Sequence, residues 1–177
     1  MGDSMWVDAT TTIPDDMVNP WVAGFDSDTY LEATFGDYDQ LDKAGKATWD
    51  ALEELISELE GWCDSQPGSD RNATIKGRTI HLTGNYNYGL EGLNDHLSFE
   101  AFCQAHQMAY TASDDGGRYE DGTWRTWDPT DGVLVELPAN SDGDPVIDHG
   151  TYKKYLAGLT DSQVANVLRQ IFGDDTH

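Results

Sequence analysis

The chain has few basic residues for its length. Its 177 residues include only 10 Lys and Arg against 33 Asp and Glu, which gives a formal net charge of −23 at pH 7. A surface of this sign repels nucleic acid and anionic lipid, because both present negative phosphates. Direct nucleic-acid binding is therefore a disfavoured function.

Cysteine and long hydrophobic runs are also scarce. The chain has 2 cysteines, Cys63 and Cys103, and they form no CxxC pair, which argues against a zinc knuckle and a disulfide framework. Apolar runs such as WVAGF and GVLVEL are far shorter than the roughly 20 residues of a membrane-spanning helix, and no secretory signal is recognisable. We expect a protein that does not enter membranes and that resides in the cytoplasm, or in a virion if the chain is viral.

The common catalytic signatures are missing as well. The sequence contains no GxSxG, GxxxxGK[ST] or GxGxxG motif, and its histidines form no HxxxH or HExxH pair. His106 and Cys103 share one face of a predicted helix and could act as a nucleophile and its base, although such a histidine more often serves packing. The sequence favours a non-enzymatic protein without a cofactor, with a metal-dependent enzyme as an alternative.

What the chain has in abundance is acid, spread along its length. Asp and Glu number 11 in residues 1–50, 9 in residues 51–100 and 10 in residues 101–150. This composition, with little Lys, much Asp and few large aliphatic residues, resembles that of proteins from salt-in halophiles such as haloarchaea, or from their viruses and plasmids. At molar salt the Debye length falls to about 3 Å, so the self-repulsion of such a surface is largely screened. We predict salt adaptation, and a DNA mimic whose carboxylates imitate a phosphate track is the alternative.

The hydrophobic pattern predicts an α+β fold: a single domain with an antiparallel meander packed by a long amphipathic helix and C-terminal helices. Residues 1–37 are predicted to be an extended N-terminal arm, with room for a short strand or helical turn, and residues 38–177 the α+β domain. Apolar residues recur every three or four positions from Leu41 to Trp62 or Cys63, as one helix face requires. ATIKGRTIHLT predicts a hairpin, GNYNYGLEGLNDH an irregular loop and Ser98 to Ala109 a second helix.

The long predicted helix has an acidic outer face. It carries Asp50, Glu53, Glu54 and Glu58. Lys46 lies four residues before Asp50, but none of the three Glu residues has a basic partner at the four-residue spacing that would stabilise an ion pair. Such a stripe is usually a solvated face. It is also the best candidate for a DNA-mimicking surface.

One segment, GGRYEDGTWRTWDP, gathers residue types that dominate protein interfaces. Arg118, Tyr119, Trp124, Arg125 and Trp127 combine large contact area with directional polar groups. Because side chains alternate along a strand, at least one of the two Trp residues should face the core. The sequence predicts a hairpin patch that binds a protein partner, and plain sheet packing is the alternative.

A second segment, NSDGDPVIDHGT, has part of the pattern of a calcium-binding loop. Asn140, Asp142 and Asp144 occupy the first three ligand positions, and the following TYKKYLAG is similar to the helix after a dockerin calcium loop over less than a tenth of the chain. Pro145 replaces the required Gly, and Thr151 replaces the bidentate Glu. A site for calcium or another cation is one hypothesis, and a hydrated turn rich in Asp and Gly is the other.

Overall fold

A computed structural model describes residues 4–14, 27–64, 71–118 and 121–173. Its strands form one antiparallel sheet in the order β2-β3-β1-β4-β5-β6. The strands are β1 Ser4–Thr12, β2 Arg71–Lys76, β3 Thr79–Asn87, β4 Tyr110–Asp114, β5 Gly122–Trp127 and β6 Leu134–Ala139. The predicted α+β fold with an antiparallel sheet is confirmed, and β4, β5 and β6 form its meander.

Helices lie on both sides of this sheet. Their bounds are α1 Ser27–Phe35, α2 Lys43–Asp64, α3 Gly89–Leu97, α4 Phe99–Ala105, α5 His149–Thr151 and α6 Asp161–Phe172, with a 3-10 turn Tyr38–Gln40 before α2 and a π-helical turn Tyr152–Leu156 after α5. The long amphipathic helix appears as α2, with Asp42 accepting a hydrogen bond from the Gly45 backbone N–H at its start. None of the helices in the described ranges is both long and apolar enough to cross a membrane.

The N-terminal strand corrects the predicted arm. Ser4–Thr12 pairs with β3 on one side and with β4 on the other, so it lies inside the sheet and belongs to the body of the domain. Burial alternates along the strand, but its inward set includes Ala9 and Thr11, which are too small and too polar to produce a clear hydrophobic period. Residues 15–26 of the predicted arm lie outside the described residues.

The predicted irregular loop is instead the end of β3 followed by α3. Tyr88 and Gly89 both have positive φ angles, 67° and 58°, which turn the chain sharply from strand to helix. One turn later Gly92 packs so closely on β3 that a Cβ would lie 1.9 Å from the Asn87 carbonyl oxygen. Two glycines in the first four residues of α3 hide the helix from a propensity-based prediction, and yet the packing requires them.

The inner face of the sheet carries the main core. Ala9, Leu82, Tyr110 and Trp127 contact helix residues from α2, α3 and α4 in this cluster. Phe99 is fully buried in this cluster and meets Tyr110 edge to face, with ring centroids 5.6 Å apart. This layer fixes which strand residues point inward and, by alternation, which point to the opposite face.

The outer face is divided between a covered and an open half. Over β5 and β6, Trp124 and Leu137 pack against Leu156 and against Val167 of α6. Over β1, β3 and β2 the outward side chains are polar and accessible: Asp8, Thr12, Asn72, Thr74 and Lys76 are exposed, and Thr10, His81, Thr83 and Asn85 are half-buried. The border between the two halves is a step from the open sheet up to α6 and the turn after β6.

Candidate functional site

The predicted hairpin patch is not a surface patch. Trp124 is only 4% exposed and Trp127 only 7%, and they belong to the two different cores on opposite faces of β5. Arg118 is exposed, and Tyr119 lies outside the described residues. Sheet packing therefore accounts for both Trp residues, and the predicted binding patch is corrected here because strand alternation buries one ring on each side.

Arg125 is held in an ion-pair network. Its guanidinium donates to Glu136 at 2.7 Å, to Glu100 at 2.9 Å and to Glu91 at 3.1 Å. Burial by itself lowers the pKa of Arg125, but the hydrogen bond to Glu136 and the interactions with Glu100 and Glu91 outweigh it and leave that pKa raised. The Tyr110 hydroxyl also donates to Glu100, at 3.0 Å. This network joins β4, β5, β6, α3 and α4, and it occupies the donors that a partner-binding Arg would need.

The Cys103 and His106 pair does not have the properties of a nucleophile and its base. Cys103 is fully buried, and burial raises the pKa of its thiol to about 12. His106 follows the end of α4 and stacks at a tilt on Phe102, with ring centroids 4.5 Å apart. Both residues contribute to packing.

The acidic stripe of α2 is solvated. Asp50, Glu53, Glu54 and Glu58 are all exposed, and Asp50 accepts a hydrogen bond of 3.0 Å from the Tyr38 hydroxyl. This bond, which favours the protonated phenol, raises the pKa of Tyr38. The stripe lies on the helix that covers the inner face of the sheet, and further carboxylates lie beside the outer face.

The NSDGD segment forms a tight turn closed by the side chain of Asn140. Its Oδ1 accepts hydrogen bonds of 2.9 Å from the backbone N–H groups of both Asp142 and Asp144. Gly143 sits between them with φ +78°, where a Cβ would lie 2.9 Å from the Ser113 hydroxyl oxygen. Nowhere in the described chain do three or more His, Cys, Asp or Glu side chains meet as metal ligands would. The calcium hypothesis needs the Asn140 side-chain oxygen as a ligand, but this oxygen accepts the two hydrogen bonds that close the turn. Asp142 and Asp144 are both exposed to solvent.

This turn forms one wall of a groove on the outer face of the sheet. The groove consists of two adjoining depressions of about 290 and 300 Å³ that share Asp8, Ser113, Asp142 and Gly143. Its floor comes from β1 and β4, and its second wall includes Gln170 and Ile171 near the end of α6. The groove therefore follows the step between the open and covered halves of the outer face.

The groove is acidic and has one exposed aromatic ring. Its lining includes the carboxylates of Asp8, Asp115, Asp142 and Asp144, and none of the described residues that line it is Lys, Arg or His. Trp6 stands at its end with 44% of its surface exposed. The Trp6 backbone N–H donates to the Asp115 carboxylate at 2.9 Å, and the Trp6 carbonyl accepts from the Asp115 N–H at 3.1 Å, so the ring rises from a fixed part of the sheet.

An unsatisfied hydroxyl lies at the base of the groove. Ser113 is 8% exposed and lines both depressions, yet its side chain makes no hydrogen bond to any residue of the described ranges. Because this hydroxyl faces the two depressions and has no protein partner among the described residues, it is available to a group that enters the groove.

Sequence reasoning missed the groove because it placed β1 in an arm. The sequence does contain a signal for this face: Asp8 and Thr10 follow Trp6 at alternate positions, and Thr111 and Ser113 are also two residues apart. Once β1 and β4 are paired, Thr10 lies opposite Thr111 and Asp8 opposite Ser113, and these side chains share one face. Of the predicted site residues, Asp142, Asp144 and the buried Trp124 line this groove.

No protein-family model matches the chain, and no match is found among curated proteins or solved structures.

Proposed function

We propose that this is a non-enzymatic accessory protein of a salt-adapted organism, or of its virus or plasmid, that binds a partner protein through the groove on the outer face of the sheet. Its site of action is the cytoplasm, or the virion if the chain is viral. The binding surface runs from Trp6 across Asp8 and Ser113 to the wall formed by Asp142 and Asp144.

The exposed ring of Trp6 carries this proposal. A Trp side chain brings a large apolar area at little cost in conformational entropy, and for that reason it is enriched at interface hot spots. In this protein the ring borders a concave surface and is held by the two hydrogen bonds to Asp115. A ring exposed to water at that position is better explained by a contact with a partner than by packing, since Trp124 and Trp127 of β5 are both buried.

The distribution of acid supports salt adaptation over DNA mimicry. A mimic needs carboxylates that follow one elongated face. Here exposed carboxylates occur on α2 at the inner side, in the groove at the outer side and at the start of α6. Exposed carboxylates on several sides of the protein are typical of a chain that stays hydrated and soluble in concentrated salt.

Affinity capture from a native host lysate at 2 M KCl tests the proposal. The wild-type chain is compared with Trp6→Ala and with Tyr152→Ala, which removes another exposed aromatic ring, 50% exposed, outside the groove. We expect a partner protein that is retained by the wild type and by Tyr152→Ala and lost from Trp6→Ala. Equal capture by all three proteins would refute binding through the groove.

A further inference from the structure

We propose that the groove accepts an arginine-bearing segment of the partner protein, with the guanidinium group held between the carboxylates and Trp6. This inference rests on the proposed function and adds the chemistry of the bound segment. Three features support it: the charge of the lining, the exposed indole ring and the buried hydroxyl of Ser113.

The charge of the groove selects a cation. Asp8, Asp115, Asp142 and Asp144 line it. Within the described part of the chain, the only one of them with a basic partner is Asp8, whose Oδ1 lies 3.0 Å from His81 Nε2. The Asn140 side chain accepts hydrogen bonds from the backbone N–H groups of Asp142 and Asp144, so the backbone that carries these two carboxylates is fixed at the wall. A bound cation would relieve the mutual repulsion of these groups.

The indole ring favours arginine among the cations. A guanidinium is planar, stacks on aromatic faces, presents five N–H donors and is more weakly hydrated than an ammonium group. These contacts act at short range, so they persist at molar salt, where the Debye length of about 3 Å removes long-range attraction. A lysine side chain would have the charge without the planar stacking and would lose more hydration.

The Ser113 hydroxyl distinguishes this groove from the other acidic surfaces of the protein. Its oxygen can accept a hydrogen bond from an N–H donor that enters the base of the groove, and it is otherwise unpaired within the described chain. The exposed stripe Asp50, Glu53, Glu54 and Glu58 on α2 has the same sign of charge. It therefore provides a matched control for charge alone.

Two-dimensional NMR titration of the full chain in 2 M KCl tests the inference. The probe is a capped peptide with two arginines separated by one glycine, and its control is the same peptide with citrulline, which keeps the shape and removes the charge. We expect shifts at the Trp6 indole N–H and the Ser113 amide, a dissociation constant of about 1 mM or tighter, and binding at least tenfold weaker for citrulline. Citrulline within twofold of arginine would overturn the proposal.

Variants and other probes separate the alternatives. Asp142→Asn with Asp144→Asn should weaken arginine binding about tenfold and Ser113→Ala about threefold, whereas Glu53→Gln with Glu54→Gln, which removes the same charge from α2, should leave it within twofold. A loss of equal size in the α2 variant would overturn the proposal. Shifts in the groove with a neutral hexasaccharide and not with the arginine peptide would assign a glycan instead, and shifts that depend on protein concentration alone would assign a second copy of this chain.

The capture experiment distinguishes an error in the proposed arginine ligand from an error in the proposed binding through the groove. A partner captured in a Trp6-dependent manner that binds the Asp142→Asn, Asp144→Asn variant as well as the wild type removes arginine as the ligand and leaves the groove as the binding site. If the Trp6→Ala variant captures the partner as well as the wild type does, both the binding through the groove and the arginine ligand are refuted.

Discussion

Adjacent residues in this chain have different roles because they lie on opposite sides of one strand or its extension. Asp114 is 6% exposed and accepts hydrogen bonds from the backbone N–H groups of Leu90 at 3.1 Å and Thr123 at 3.0 Å, so it ties α3 and β5 to β4. Asp115 lines the groove and holds the backbone of Trp6. One carboxylate thus serves the fold and its neighbour serves the site.

The Trp residues should separate in the same way. Trp124→Ala empties a position in the outer core and is expected to reduce the free energy of unfolding by about 3–5 kcal/mol. Trp6→Ala removes a ring that is 44% exposed, so the expected loss is below about 1 kcal/mol. Urea unfolding of both variants in 2 M KCl, followed by circular dichroism, measures the difference. Equal losses would mean that Trp6 is a packing residue and that the groove lacks its principal contact.

At the scale of elements, the ion pairs of Arg125 join the β5–β6 hairpin to α3 and α4. Glu100 on α4 is 12% exposed and relies on Arg125, on Tyr110 and on Asn94 for its hydrogen bonds. Glu91 is 71% exposed, so its pair with Arg125 is in contact with solvent. The two ion pairs should therefore differ in their importance for stability.

Substitution of each partner tests that difference. Arg125→Ala leaves the buried carboxylate of Glu100 without its cation and is expected to cost about 2–4 kcal/mol of unfolding free energy. Glu91→Gln should change it by less than about 1 kcal/mol, because an exposed pair contributes little. Chemical denaturation at constant pH and salt gives both values. An Arg125→Ala variant as stable as the wild type would show that the network does not join these elements.

Prediction from sequence succeeded for elements with strong local signals. The periodicity of α2 and the hairpin over ATIKGRTIHLT appear in the structure as expected. It failed for β1, whose place in the sheet depends on pairing with β3 and β4 far along the chain, and for α3, whose glycines are set by contact with β3. The groove depends on the same long-range pairing, and the sequence singled out its Asp142 and Asp144 only as candidate cation ligands.

For the whole molecule, the net charge of −23 predicts a fold whose stability depends on the salt concentration. At low ionic strength the carboxylates repel one another over distances that approach the size of the domain, whereas at 1 M salt the Debye length is about 3 Å. We expect the melting temperature to rise by at least about 10 °C between 0.1 M and 2 M KCl, as measured by differential scanning calorimetry. A melting temperature independent of KCl would contradict salt adaptation and would shift support to DNA mimicry.

Site-specific photo-crosslinking is the most direct test of binding through the groove. A benzoylphenylalanine residue replaces Ser141 in the groove wall or, as a control, Glu53 on the outer side of α2, and each protein is irradiated in native host lysate at 2 M KCl. Binding through the groove predicts one dominant cross-linked protein from position 141 that is absent from position 53 and lost when Trp6→Ala is added. Cross-links of equal yield at both positions, or a product at position 141 that persists without Trp6, would contradict it.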